Sequence, residues 1–304
     1  MEYVLQSDNL TKCYGKTRVL DGLTMNIPKG SIYGFVGKNG SGKTTLIRLI
    51  CGLQKPTSGS FELYGICNNS KNISKSRRRM GAIVETSAIY TNMTATENLK
   101  QQHLIHGLSS FDCIPKLLRL VGLENNGNKK VKNFSLGMKQ RLGIAISLVG
   151  DPDFLVLDEP TNGLDPQGIL DIRNLLLNLN QENGVTILIS SHILDELSRL
   201  ATHYGIIDRG RIVKELSADE LNTICRKCMR MEVNDTSILA RVMDNLNQEY
   251  KIISKTTADV FSKITVTQLV LALAKENCEV WSINERNDSL QNYFISLVGG
   301  DEQC

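Results

Sequence analysis

Gly37-Lys38-Asn39-Gly40-Ser41-Gly42-Lys43-Thr44 matches the phosphate-loop pattern G-x-x-x-x-G-K-[ST] at every fixed position. The apolar run Ile32-Tyr33-Gly34-Phe35-Val36 leads into it and reads as a buried strand. Leu46-Ile47-Arg48-Leu49-Ile50 follows with helical spacing and ends at Gly52. This strand–loop–helix order is the context the pattern requires. Glycines let the backbone curl until successive N–H groups face a phosphate, and the helix N-terminus adds partial positive charge. Lys43 is then placed for β- and γ-phosphates, and the Thr44 hydroxyl for Mg²⁺.

Bulk properties narrow the class. The chain has 304 residues, 41% hydrophobic and 22% charged, which suits one large or two ordinary folded domains. A net charge of +3 is too small to make nucleic acid the expected partner. No uninterrupted apolar run reaches membrane-span length, and Met1-Glu2-Tyr3-Val4 does not open a signal peptide. The eight cysteines lack a repeating spacing, and Cys225-x-x-Cys228 stands without a second pair. Reduced thiols and a cytoplasmic protein are expected.

Upstream, Val4-Leu5, Val19-Leu20 and Leu23–Ile27 read as three short antiparallel strands, with a turn at Pro28-Lys29-Gly30. Tyr14 falls in the loop between the first two. Read alone it is a packing or surface tyrosine; ahead of a phosphate loop it is a candidate to stack on a flat base. Downstream, Phe61–Tyr64 and Met80–Val84 read as strands, the second ending at Glu85. Arg77-Arg78-Arg79 reads as a solvated basic face. From about 86 to 150 the spacing turns helical, which predicts a helical insertion. Within it Ser135 resembles a helix N-cap, leaving the following N–H groups free for an anion; in isolation this is an ordinary capped helix.

Phe154-Leu155-Val156-Leu157 is apolar throughout and ends in Asp158-Glu159. Two carboxylates at the end of a dry strand are costly unless a metal or a proton-transfer role compensates. Asp158 fits a Mg²⁺-positioning acid and Glu159 a general base. Val185–Ser190 reads as another buried strand, followed by His192, a candidate γ-phosphate contact. Tyr204–Val213 reads as a hairpin turning at Arg209-Gly210. Beyond a polar helix at about 217–227 the chain reads as a small α+β unit with strands at Met229–Val233, Tyr250–Ile253, Val260–Ser262 and Val280–Ile283. Its expected helices are Ser237–Leu246, Thr267–Ala274 and Leu290–Leu297, with Trp281 a packing residue.

Together, the phosphate loop, Ser135-x-Gly137-x-x-Gln140-Arg141, Phe154–Glu159, Gly163-Leu164-Asp165 and His192 resemble the ATP-binding subunit of ABC transporters. The resemblance covers about Met1–Ser217. It implies an α/β P-loop NTPase with an antiparallel β subdomain and a helical subdomain, over residues 1–217, followed by an accessory α+β domain at 218–304. It implies ATP and Mg²⁺ as cofactors. It also implies a head-to-tail dimer with a second copy or a homologous ATPase, and integral membrane permease subunits as partners. Tyr14, Gly37, Lys38, Asn39, Gly40, Ser41, Gly42, Lys43, Thr44 and Thr45 would bind nucleotide, with Ser135 and Gly137 acting on the other copy's nucleotide. Thr44, Asp158 and Glu85 would attend the metal; Glu159, His192 and Lys43 would serve catalysis. The protein would sit on the inner face of the cell membrane.

Two positions depart from the family pattern. Leu136 stands where the signature usually has glycine, and Glu85 where glutamine is usual. Both look like the bacitracin-export and lantibiotic-immunity branch, whose cargo is peptide antibiotics. A soluble ABC ATPase acting on ribosomes or nucleic acid is the alternative. Against it, the chain has one phosphate loop and no sustained heptads. A low-turnover nucleotide-binding regulator is the other.

Overall fold

The computed structural model describes residues 2–86, 88–126, 128–224, 228–261, 264–286 and 290–298. They divide into two compact units, Met1–Ala218 and Asp219–Cys304.

The first unit opens on a long hairpin, β1 (Tyr3–Tyr14) and β2 (Thr17–Pro28), where three short strands were expected. The break expected between Val19-Leu20 and Leu23–Ile27 is absorbed as an irregularity within β2. Asn9 and Gly22 take positive φ, 47° and 64°, and the pairing register shifts between Ser7 and Leu10. Thr24 Oγ1 accepts from the Asn9 N–H at 3.1 Å, and Thr11 Oγ1 from the Gly22 N–H at 3.0 Å. With those groups satisfied by side chains, the strand bends without ending.

Next come β3 (Ile32–Val36), α1 (Lys43–Ile50), β4 (Ser58–Leu63) and β5 (Ile66–Cys67). The first sheet has order β2-β1-β4-β5, and its determined pairings are antiparallel. The chain continues through α2 (Ile73–Arg77), β6 (Met80–Ile83), α3 (Ala95–Ile105), α4 (Ile114–Leu120) and α5 (Leu136–Ser147). It then forms β7 (Phe154–Asp158), α6 (Pro166–Asn183), β8 (Thr186–Ser191), α7 (Leu194–Leu197), β9 (His203–Asp208) and β10 (Arg211–Ser217). The second sheet has order β10-β9-β3-β8-β7-β6, parallel except for the closing hairpin of β9 with β10. β3, β7 and β8 are buried at every residue, as near-continuous apolar strands covered on both faces must be. The two sheets share one core, in which Leu5, Met25 and Phe61 join Phe35, Leu46 and Val156.

Helices α3 to α5 occupy the stretch whose spacing turned helical. Thr94 and Glu97 close a capping box at the start of α3: Thr94 Oγ1 accepts from the Glu97 N–H, and the Glu97 carboxylate accepts from the Thr94 N–H at 2.7 Å. α5 crosses β6 at Gly81, where an added Cβ would run into the Ser147 carbonyl oxygen. Gly81→Ala is therefore expected to force helix and strand apart, costing about 1–3 kcal/mol. Thermal melts should show this as a fall of about 3–10 °C.

The basic run is not a uniformly solvated face. The Arg77 Nε–H donates to the Ile50 carbonyl at 3.0 Å, while Arg79 pairs with Asp153 and stacks 3.7 Å over the Tyr64 ring. Free thiols are found at Cys13, Cys51, Cys67, Cys113 and Cys278; Cys225 lies outside the described residues. Burial pushes the Cys51 thiol up to about 12, so it stays protonated at neutral pH.

The second unit begins within α8 (Ala218–Ile224). It contains β11 (Cys228–Val233), α9 (Thr236–Asn245), β12 (Tyr250–Ile252), β13 (Thr257–Val260), α10 (Val266–Lys275), β14 (Val280–Arg286) and α11 (Leu290–Val298). β11 to β14 run βαββαβ, with sheet order β12-β13-β11-β14 and antiparallel pairing, a ferredoxin-like arrangement. Met231, Val233, Leu239, Val260 and Leu269 form its core. Trp281, expected to pack, is 60% exposed. The pairing steps from Ser282–Glu232 to Val280–Val233 and skips Trp281, so a bulge takes it out of the inward alternation. The expected strand end at Ser262 lies outside the described residues.

Candidate functional site

Strand order brings three loops together at one edge of the parallel sheet. β3 runs into the phosphate loop, β7 ends at Asp158 and β8 ends at Ser191. In register, Val36 lies beside Ser191, and Asp158 beside Ser190. The carboxyl edge of an open α/β sheet is where such folds hold ligands.

The loop is a tight cradle. Gly40 and Gly42 have φ of 81° and 112°. A Cβ on Gly42 would lie 2.7 Å from Leu20 Cδ2, and one on Gly37 would lie 2.6 Å from the Ile207 carbonyl oxygen. The far wall is the β9–β10 turn, where the Gly210 N–H donates to the Ser41 carbonyl at 3.0 Å. Lys38, Asn39 and Gly40 face solvent at the loop tip, whereas Ser41, Gly42, Lys43 and Thr45 are buried and Thr44 half-buried. Gly42 caps α1 without a side chain, so its first-turn N–H groups are not taken by a cap. The Lys43 ammonium is 5% exposed and donates to the Gly37 and Lys38 carbonyls at 2.7 and 3.3 Å.

Glu159 bridges the loop to His192. Its Oε1 lies 3.4 Å from Lys43 Nζ, and its Oε2 lies 3.2 Å from His192 Nδ1. A carboxylate therefore lies between the Lys43 ammonium and the His192 ring, the two groups expected to meet a terminal phosphate. Glu159 holds φ of 47°, a left-handed conformation uncommon outside glycine. Asp158 is buried, 4% exposed, and accepts from Ser190 Oγ at 2.7 Å. A cavity of about 180 Å³ opens beside Glu159 and His192, lined also by Asn162, Gly163 and Glu196.

The other expected residues make contacts of their own. Tyr14 ends β1 rather than lying in a loop and is 42% exposed. Its hydroxyl donates to Gln54, and the Lys12 ammonium lies 5.2 Å from its ring centroid. The Ser135 hydroxyl accepts from the Met138 N–H at 3.3 Å, so one N–H of that helix start is already occupied. Ser135 and Gly137 line a separate cavity of about 380 Å³ with Gly163, Leu164 and Asp165; no phosphate-loop residue lines it. Leu136, 49% exposed, approaches Gly163 there. The Glu85 carboxylate is engaged by Arg48 of α1. Glu85 itself has φ of 62°, inside a tight turn closed by the Thr86 N–H on the Val84 carbonyl at 2.8 Å.

The donor set fits a magnesium-bound triphosphate. The Ser41 hydroxyl is buried with no hydrogen-bond partner among the described residues, a cost that a phosphate oxygen would relieve. Among the described residues the polar partners of the Lys43 ammonium are oxygen atoms, and the Thr44 hydroxyl and Asp158 carboxylate are the hard oxygen donors Mg²⁺ prefers. Sequence reasoning missed Ser190, Gln54 and Arg48. Ser190 carries a faint signal, a polar residue closing an apolar strand; Gln54 and Arg48 meet their partners only through the fold.

Known proteins resemble this chain in sequence and in fold. The family model described as ABC transporter matches residues 20–162. The chain is 42% identical over 303 residues to the bacitracin transport ATP-binding protein BcrA of Bacillus licheniformis, covering 99% of both. It is 45% identical over 216 residues to the lantibiotic transport ATP-binding protein SrtF of Streptococcus pyogenes, covering 71% of this chain and 92% of that one. Among solved structures, a dimeric ATP-binding cassette in a post-hydrolysis state with ADP and Pi superposes with a TM-score of 0.64. It is 27% identical and spans 70% of this chain and 98% of its own. With relatives of such identity matched over nearly their whole length, the chain belongs to the ABC transporter family, among its ATP-binding subunits.

Proposed function

We propose that this chain is the ATPase engine of a transporter that moves a peptide antibiotic of the bacitracin or lantibiotic type through separate permease subunits. Bridging of Lys43, Glu159 and His192 at the mouth of the phosphate loop is the observation that carries the catalytic reading. The cargo reading rests on the bacitracin transport relatives, aligned over nearly the whole chain, and on the lantibiotic transport relative, aligned over 71% of it.

The proposed chemistry is hydrolysis of the γ-phosphoryl group. Gly37 to Thr45 wrap the phosphates, and Tyr14 stacks on adenine. Thr44 and Asp158 would hold Mg²⁺, which would supply charge neutralisation for the triphosphate. Glu159 takes the proton of the attacking water, and His192 steadies the phosphoryl group. Ser135 and Gly137 of a second copy complete each site, so ATP closes a head-to-tail dimer and hydrolysis opens it. Among the described residues no helix is long and apolar enough to cross a membrane, so the proposal assigns the crossing to permease subunits and this chain to the membrane's inner face.

Deleting the coding sequence in its native host is expected to lower bacitracin or lantibiotic tolerance several-fold. The tagged protein should co-purify with a multi-helix membrane protein. Unchanged tolerance to both drug classes would overturn the cargo assignment, and co-sedimentation with ribosomes in place of a membrane partner would overturn the transporter reading.

A further inference from the structure

Asp158 and Glu159 share one neighbour that the expected mechanism does not use. Ser190 lies opposite Asp158 in the parallel pairing of β7 and β8 and is 0% exposed. Its oxygen accepts from the Glu159 backbone N–H at 2.9 Å and donates to Asp158 Oδ1 at 2.7 Å. These directions are forced. A backbone N–H only donates, and an ionised carboxylate only accepts, so the single hydroxyl proton goes to Asp158. Oδ2 of Asp158 then has no protein hydrogen bond among the described residues. The same contact pins the backbone of Glu159 in its left-handed conformation, at φ of 47°, which aims that carboxylate across at Lys43 and His192.

We propose that Ser190 is the positioning residue for both acids: its hydroxyl orients the Asp158 carboxylate toward a divalent cation and fixes the backbone that aims Glu159. The inference rests on the reading of Asp158 as a metal-holding acid and Glu159 as the general base. Hydrogen-bonded partners behind a metal ligand typically change metal affinity or activity about 10–100-fold when removed. A hydroxyl that merely filled space would be replaceable by any group of its size.

The test uses the full chain with three substitutions, Ser190→Ala, Ser190→Cys and Ser190→Thr. Mn²⁺ is the metal probe, titrated by electron paramagnetic resonance in the presence of ADP, alongside steady-state ATPase assays. Ser190→Ala and Ser190→Cys are expected to weaken Mn²⁺ binding and lower kcat, each about 10–100-fold. Binding of a fluorescent ATP analogue in EDTA should stay within about twofold of the parent, because Lys43 and the loop are untouched. Ser190→Thr keeps the hydroxyl and should recover Mn²⁺ affinity to within a few-fold. If Ser190→Ala fails to fold, Cys against Thr decides, since a thiol is a weak donor of nearly serine's shape. Parent-like Mn²⁺ affinity and kcat in the Cys variant, or an equal loss in Cys and Thr, overturns the proposal. Failure of the underlying reading looks different: Asp158→Asn would then leave Mn²⁺ affinity unchanged, whatever the Ser190 variants do.

Discussion

Glu159→Gln is expected to bind ATP at least as tightly as the parent while turnover falls about 10²–10⁴-fold, the usual scale for removing a general base. The amide matches the carboxylate in size but cannot accept the water's proton. Glu159 lies between Lys43 at 3.4 Å and His192 at 3.2 Å. It would therefore compete with a phosphate for the Lys43 ammonium and the His192 ring. Neutralising it removes that competitor, so loss of turnover and retention of affinity have one cause. Titration with a fluorescent ATP analogue and a phosphate-release assay measure the two arms. Unchanged turnover would remove Glu159 from the general-base role.

Lys43→Ala is expected to weaken nucleotide binding about 10²-fold or more, as loss of two or more charge-assisted hydrogen bonds to phosphate implies. The ammonium is buried, and its present partners are the Gly37 and Lys38 carbonyls and the Glu159 carboxylate. Lys43→Arg should not rescue, because a planar fork cannot replace a compact ammonium inside so small a cradle. The same ATP titration checks both variants, with circular dichroism confirming the fold. ATP affinity within threefold of the parent in Lys43→Ala would mean the loop is not the phosphate site.

Much of the site was legible because its chemistry is local. The loop glycines, Lys43 and Thr44 lie within eight consecutive residues, and any backbone that curls there brings their groups together. Asp158 and Glu159 were legible by contrast, as charges closing an apolar strand. The βαββαβ succession of the second unit followed from hydrophobic period. Its strand order did not, and the exposure of Trp281 depends on a bulge that period cannot reveal.

Residue types and spacing along the chain were enough for the family, the loop, the paired acids and the helical insertion, since each is carried by short local patterns read in order along the chain. Sheet order was needed for the rest. β8 inserts between β3 and β7 and delivers Ser190 to Asp158. α1 carries Arg48 to Glu85, and the hairpin end carries Tyr14 to Gln54. These partners are 32, 37 and 40 residues apart, so they meet only where the folded chain closes those loops. The physical reason is that closure is driven by burial of a shared apolar core, and burial is blind to which polar groups it delivers to the rim.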